Sequence, residues 1–511
     1  MILERGLVRT LDPSLPTTSA VAIAGDRIAG GVGTHETALP SPERVDLGGR
    51  CVLPGFSDAH VHFPTWALAR REVRLEGARS VEEVVARVRD GLSGARPGGW
   101  LRGRGWRDAE WTERPTKEIL DAVAREVPVA LLAQDSHSLW LNSAALAWAN
   151  GDLEVDGGVV ERDAAGEPTG ILREEACWRF RDRYIHTPDE EYLRAMREGL
   201  RVAAARGVTA VHDKDGWIGA LRLWQSLHGA GGLSLRVWQS LPAEHVDELA
   251  GIGMRSGFGD ELLRVGYLKA FMDGTLGSQT ARMLDGSGVE ITSREALVGV
   301  VRRAAYAGWP VAVHAIGDRA NREALDAFEE TREIWHTMGL RQRIEHAQLL
   351  APEDVGRFAE LGVATSVQFS HAPSDRDLAD RYWAGKTDGA YAYRSLRESG
   401  AVVANGSDAP IEELDPLAGI RAGVLRTLDD RPAWHPEQRL SVEDALRATC
   451  VTPAWLSSDE HRRGKLLPGY YADLVVLDRD PLAIDPEELV EVQVVATMVG
   501  GRWTHNAPPW D

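Results

Sequence analysis

Polar and apolar positions in the middle of the chain alternate between two periods, and the alternation repeats. A stretch of helical spacing runs to a glycine, and a short β-branched run follows that ends on a polar residue. The clearest case is TSREALVGVVRRAAYAGWPVAVHAIGD. There Thr292 and Glu295 fit a capping box, and Leu297, Val300, Val301, Ala304 and Ala305 share a helical face. Gly308 stops the helix, and VAVH makes a strand delivering His314. The same unit recurs in EGLRVAAARGVTAVHD, PEDVGRFAELGVATSVQFSH and RESGAVVANGSD, with Gly207, Gly362 and Gly400 as stops. Repeated helix–strand units predict a parallel sheet. Near-continuous apolar strands such as VTAV and VATSV predict burial on both faces, as in a (β/α) barrel. In that architecture the chemistry sits where strands end, which is where the polar residues fall.

The two ends follow another pattern. Residues 1–52 carry short strand-like pieces with glycine turns, SAVAIAGDRIAGG and RVDLGG, and residues 466–511 add YADLVVLD and VVATMVGGRW. The stretch from about 66 to 200 lacks the repeating unit and holds seven of the 17 tryptophans, so it is expected to be an insertion over the barrel mouth within residues 53–465.

Composition narrows the class without choosing the function. With 77 acidic against 58 basic residues, a net charge of −19 and no Lys/Arg-rich run, nucleic acid is not an expected partner. Cys51, Cys177 and Cys450 form neither a disulfide framework nor a zinc knuckle, which suits a reducing compartment. No leader-like start and no apolar run of about 20 residues is visible, so a cytoplasmic protein without a membrane partner is expected.

The candidate chemistry lies at strand ends. His60 and His62, in LPGFSDAHVHFP, point the same way if the strand period holds, so both imidazoles can converge on one ion. Taken alone, such a pair is an accident about as often as a site. His314 and His346 each close an apolar run, VAVH and RIEH, and Asp408 follows a further strand in VVANGSDAP. A carboxylate there can bind metal and accept a proton, although an Asx turn explains it equally well in isolation. Lys269 shares the strand face of Val265, Tyr267 and Phe271, where a cation would repel a metal unless it lost its charge. Asp318 is expected to orient His314 or to pair with Arg319.

These strings, with QDSHSLWLNSAAL, GILREEA, LKAFMDGTLGSQTA, VHAIGDRANREALDAFE, NGSDAPIEELDPLAGI and LLPGYYADLVVLD, span nearly the whole chain. Together they resemble the amidohydrolase superfamily, in the amidohydrolase 3 branch that includes N-substituted formamide deformylases and YtcJ-like hydrolases. The resemblance implies a (β/α)8 barrel beside a small β-sandwich built from both chain ends. It implies His60, His62, Lys269, His314, His346 and Asp408 as ligands of one or two divalent ions, zinc first. Asp408 would be the general base and Lys269 an N6-carboxylysine bridging two ions. His137 and Trp140 in the insertion, and Gln368 and His371 after the strand SVQFSH, are candidate substrate contacts. Phe369 and Gln279 depart from the family pattern, which has proline and arginine there.

The expected activity is metal-assisted hydrolysis of a non-peptide C–N bond in a small-molecule amide, such as an N-formyl or N-acyl amine, with a homodimer as an open expectation. The rivals are a heterocycle deaminase on the same ligands and a catalytically silent binding barrel.

Overall fold

The computed structural model describes residues 1–29, 43–92, 99–107, 111–133, 138–185 and 187–510. The chain divides into two compact units, Met1–Trp66 with Met196–Asp511, and Ala67–Ala195.

The larger unit is built on an eight-stranded parallel sheet with strands in chain order. These are β1 (Phe56–Val61), β2 (Val208–Asp213), β3 (Arg236–Pro242), β4 (Leu263–Phe271), β5 (Val311–Ala315), β6 (Arg343–His346), β7 (Ala364–Val367) and β8 (Val403–Asn405). Intervening helices cover the strands, and β1, β2, β5, β6, β7 and β8 are buried along their whole length. The fold is a (β/α)8 barrel of the α/β class. Gly207, Gly308, Gly362 and Gly400 all take positive φ at helix ends, where residues with a Cβ would be strained. The helix Arg294–Tyr306 begins one residue later than the capping box suggests. Ser293, in extended conformation, accepts from the Ala296 N–H and leaves Thr292 outside.

First and last strands meet at a seam beyond their ends. The Asp408 N–H donates to the His60 carbonyl at 2.7 Å, and the His62 N–H donates to the Ala409 carbonyl at 2.9 Å. A Cβ on Gly406 would lie 2.4 Å from the His60 nitrogen, so the seam closes this tightly only around glycine. Below it the buried Asp58 carboxylate accepts from the backbone N–H groups of both His60 and Ser407, tying β1 to the segment after β8.

The chain ends pair in one eight-stranded mixed sheet. Its strands run in the order Arg502–His505, Val494–Val499, Leu474–Leu477, Cys51–Pro54, Ile2–Arg9, Thr17–Ala24 and Arg27–Ile28, with Arg44–Asp46 branching onto Ile2–Arg9. The link between the ends is antiparallel pairing of Leu474–Leu477 with Cys51–Pro54.

The unit Ala67–Ala195 has its own six-stranded sheet, which the sequence pattern does not announce. Its core is aromatic: Trp106, Trp111 and Trp140 lie with ring centroids 6.1 to 6.3 Å apart. The buried indoles of Trp106 and Trp140 donate to the carbonyls of Leu131 and Thr116. Among the described residues no helix is long and apolar enough to cross a membrane. All three cysteines are free and buried.

Candidate metal centre

Burial on both faces and a common register bring the polar ends of the barrel strands together. Phe271 lies opposite His314, and Ala315 opposite His346, so neighbouring strands present these side chains at nearly one level. His60 near the end of β1 and His62 just after it both turn Nε2 toward Asp408 Oδ1, at 3.3 and 3.5 Å. Their other ring nitrogens are already committed. His60 Nδ1 lies 2.8 Å from Glu345 Oε2, and His62 Nδ1 lies 2.8 Å from Asp215 Oδ1. A carboxylate on Nδ1 keeps a proton there and orients each ring so that its Nε2 faces Asp408.

Buried cations hold one of these carboxylates in place. Glu345 Oε1 is 2.8 Å from Arg343 Nε and 3.0 Å from Lys214 Nζ, and all three side chains are fully buried. Burial alone would raise its pKa, but Arg343 and His60 hold it well below the usual carboxylate range. Asp408 behaves alike: burial disfavours its charge, and His60, His62 and His346 overcome that penalty. Burial also opposes a charge on His62, yet Asp215 and Asp408 together push it up to about 10. Backbone strain accompanies the site. His346, Ala347 and Asp408 adopt φ of 75°, 44° and 57°, a left-handed region that side chains with a Cβ rarely enter.

The remaining predicted ligands surround this group. His346 is in ring contact with both His60 and His314, with centroids at 4.8 and 4.5 Å. Its Nδ1 lies 2.8 Å from Gln368 Oε1, and the amide of Gln368 is fixed by its own bond to the Ser366 carbonyl. His314 donates from Nε2 to the Gly274 carbonyl at 3.0 Å. Burial and the neighbouring Lys269 push it down to about 3. Lys269 is buried with Nζ lacking any hydrogen-bond partner, 4.8 Å from the Phe271 ring centroid. Burial pushes this amine down to about 8, against the pull of Glu345 and Asp408.

Among the described residues, two triads have side-chain donor atoms close enough to hold an ion, His60–His62–Asp408 and His346–His371–Asp408. His371, reached from sequence only as a substrate contact, therefore also stands beside Asp408. Its Nε2 lies 3.9 Å from Asp408 Oδ2, and its ring is parallel to that of His346. Trp140 belongs to the core of the other unit, fully buried with its N–H spent. His137 lies outside the described residues. Asp318 does not orient His314 or pair with Arg319 through side chains: it accepts from the backbone of Leu284, while Arg319 bonds Glu323.

Glu345, Asp215, Lys214 and Gln348 escaped the sequence reading. Their signal was present: each stands within two residues of a strand-ending histidine or aspartate, in RIEHAQ and HDKD, where a polar residue interrupts an apolar pattern.

Comparison with known proteins gives the family and the fold. The family model described as amidohydrolase family matches residues 43–505. The chain is 31% identical to protein LONG AFTER FAR-RED 3 of Arabidopsis thaliana, over 98% of its own length and 91% of that protein's. It is 28% identical to N-substituted formamide deformylase of Arthrobacter pascens, over 97% and 96% respectively. A solved structure of an uncharacterized metal-dependent hydrolase from Pyrococcus horikoshii superposes with a TM-score of 0.82 at 30% identity. That match covers 95% of this chain and 99% of the other.

Proposed function

The chain belongs to the amidohydrolase family, and from that premise we propose that it hydrolyses a carbon–nitrogen bond outside the peptide backbone, in a small N-formyl or N-acyl amine, with Asp408 as general base. The observation that carries this reading is the convergence of two imidazole Nε2 atoms and one carboxylate oxygen, each ring fixed from behind by a carboxylate.

The residues fit a divalent cation. His60, His62 and Asp408 would hold it, and zinc suits a nitrogen-and-oxygen donor set of this kind. Lys269, buried and without a hydrogen-bond partner, supplies a fourth group if carboxylated, and His314 and His346 border the space for a second ion. When bound, such an ion acidifies water and polarises the amide carbonyl.

The protein's own groups do the rest. Glu345 and Asp215 hold His60 and His62 with the proton on Nδ1, so neither ring has to rotate. Asp408 is held ionised at the pH of the cell and can take a proton from the attacking water at Oδ2. It then returns that proton to the departing nitrogen, which leaves as a neutral amine. Low exposure around Asp408, His346 and His371 limits the water that competes for these contacts. The likeness to an N-substituted formamide deformylase supports the choice of bond.

A turnover screen of N-formyl and N-acyl amines on zinc-loaded protein tests the reading. Release of the amine with wild type and its loss in Asp408→Asn is the expected result. Ammonia released from an aminated heterocycle, with every amide left intact, would replace the reading.

A further inference from the structure

His346 and His371 look alike in the fold and are prepared for opposite tasks. Their rings are parallel within 6°, with centroids 6.3 Å apart, and both are buried beside Asp408. The difference is the amide behind each one. Gln368 presents its carbonyl oxygen to His346 Nδ1, which places the ring proton on Nδ1 and frees the Nε2 lone pair. Gln348 presents its amide N–H to His371 Nδ1 at 3.1 Å, so Nδ1 is an acceptor and the proton stands on Nε2.

That Nε2–H is buried and has no hydrogen-bond partner among the described residues. It faces Asp408 Oδ2 across 3.9 Å, too long for a direct bond, which leaves the N–H free to donate to a substrate atom. An unspent donor in a water-poor site is costly unless something uses it. Its charged neighbours, Asp408 and Glu412, are both acidic, and their negative charge favours a proton on this ring.

We propose that His371 is a catalytic residue that donates from Nε2 to the carbonyl oxygen of the substrate as that oxygen gains negative charge, and that Gln348 is the positioning residue that keeps the proton there. The proposal rests on the amide-hydrolysis reading of the same site. No bond forms or breaks at His371. The water's proton still goes to Asp408, and the hydrogen bond from Nε2 shortens as the carbonyl becomes tetrahedral. The alternative, His371 as an ion ligand, needs a lone pair on the nitrogen that carries the proton here.

The experiment uses zinc-loaded full-length protein with formanilide and acetanilide as probes. His371→Leu is expected to lose about 10²–10³ in kcat, with KM within about threefold and zinc content unchanged, as for a lost oxyanion donor. His371→Gln, which keeps an N–H near that position, recovers part of the loss. Gln348→Leu, which removes the N–H donor to Nδ1, no longer fixes the proton on Nε2 and loses part of the same kcat. Zinc lost from His371→Leu, or an unchanged kcat, overturns the proposal. Nitrogen-15 spectra of labelled histidine decide it without turnover. A protonated Nε2 at His371 that is no longer fixed there in Gln348→Leu supports it, and an unprotonated Nε2 in wild type overturns it. If wild type cleaves neither anilide nor any other N-acyl amine, the amide reading fails while the spectra still decide the placement of the proton.

Discussion

His60 and His62 lean on carboxylates, Glu345 and Asp215, whereas His346 and His371 lean on the side-chain amides of Gln368 and Gln348. All four imidazoles are held at one nitrogen and face Asp408. Only the first pair is backed by negative charge. A carboxylate both orients a ring and makes its far nitrogen a better donor to a cation, while an amide orients without adding charge. On the reading proposed above, one side of Asp408 grips an ion with charge-backed rings, and the amides on the other side select which proton or lone pair each ring presents.

The most severe way to break the comparison is to remove the group both sides share. Asp408→Asn should cost about 10²–10⁴ in kcat, measured with the amide found in the screen, while thermal unfolding still shows a folded barrel. Next in size is the charge behind His60. Glu345→Gln leaves the fully buried Lys214 and Arg343 without their counter-charge, at a cost of about 3–5 kcal/mol in a denaturant titration of the metal-free protein. An unchanged midpoint would mean that the cations are neutralised elsewhere.

Asp215→Asn is the cleaner probe of metal grip. Chelator competition should show zinc affinity weakened about 10- to 100-fold, whereas Gln368→Leu, on the amide side, should fall at or below the lower end of that range. Equal losses in the two variants would erase the distinction between the sides.

The smallest effect concerns Lys269. Burial pushes this amine down to about 8 from an ordinary 10.5, so the cost of burying its cation is fully present below about pH 8. It is relieved as pH rises from there toward the unfolded value. Metal-free wild type should therefore gain thermal stability between about pH 8 and pH 10 relative to Lys269→Met. Only the free amine combines with carbon dioxide, so addition of one CO₂ in native mass spectra should rise through the same range.

The barrel and its predicted ligands were legible because each rests on a local rule. A glycine stop, a short apolar run and one polar residue recur at β5, β7 and β8, and helix-ending glycines need no distant partner to be recognised. What stayed hidden depends on partners far along the chain. Glu345 lies beside the predicted ligand His346, yet its role follows from His60 Nδ1, 285 residues away in sequence. The sheet of Ala67–Ala195 was hidden for another reason: its strand Leu101–Trp106, LRGRGW, alternates arginine and glycine where a strand usually shows β-branched residues. Trp140 shows how an aromatic near a suspected site can be core, since length and residue type do not say which side of a sheet it faces.

The seam at Gly406 has a consequence for how the protein comes into being. His60 and His62 leave the ribosome early in synthesis, and Asp408 is among the last parts of the barrel to be made. Until the final strand has docked and its glycine has slipped against the His60 backbone, the nascent chain owns the imidazoles but not the carboxylate between them. On the reading proposed above, the ligand set is thus complete only once that last barrel strand has been made, and a chain cut short of it carries half a clasp.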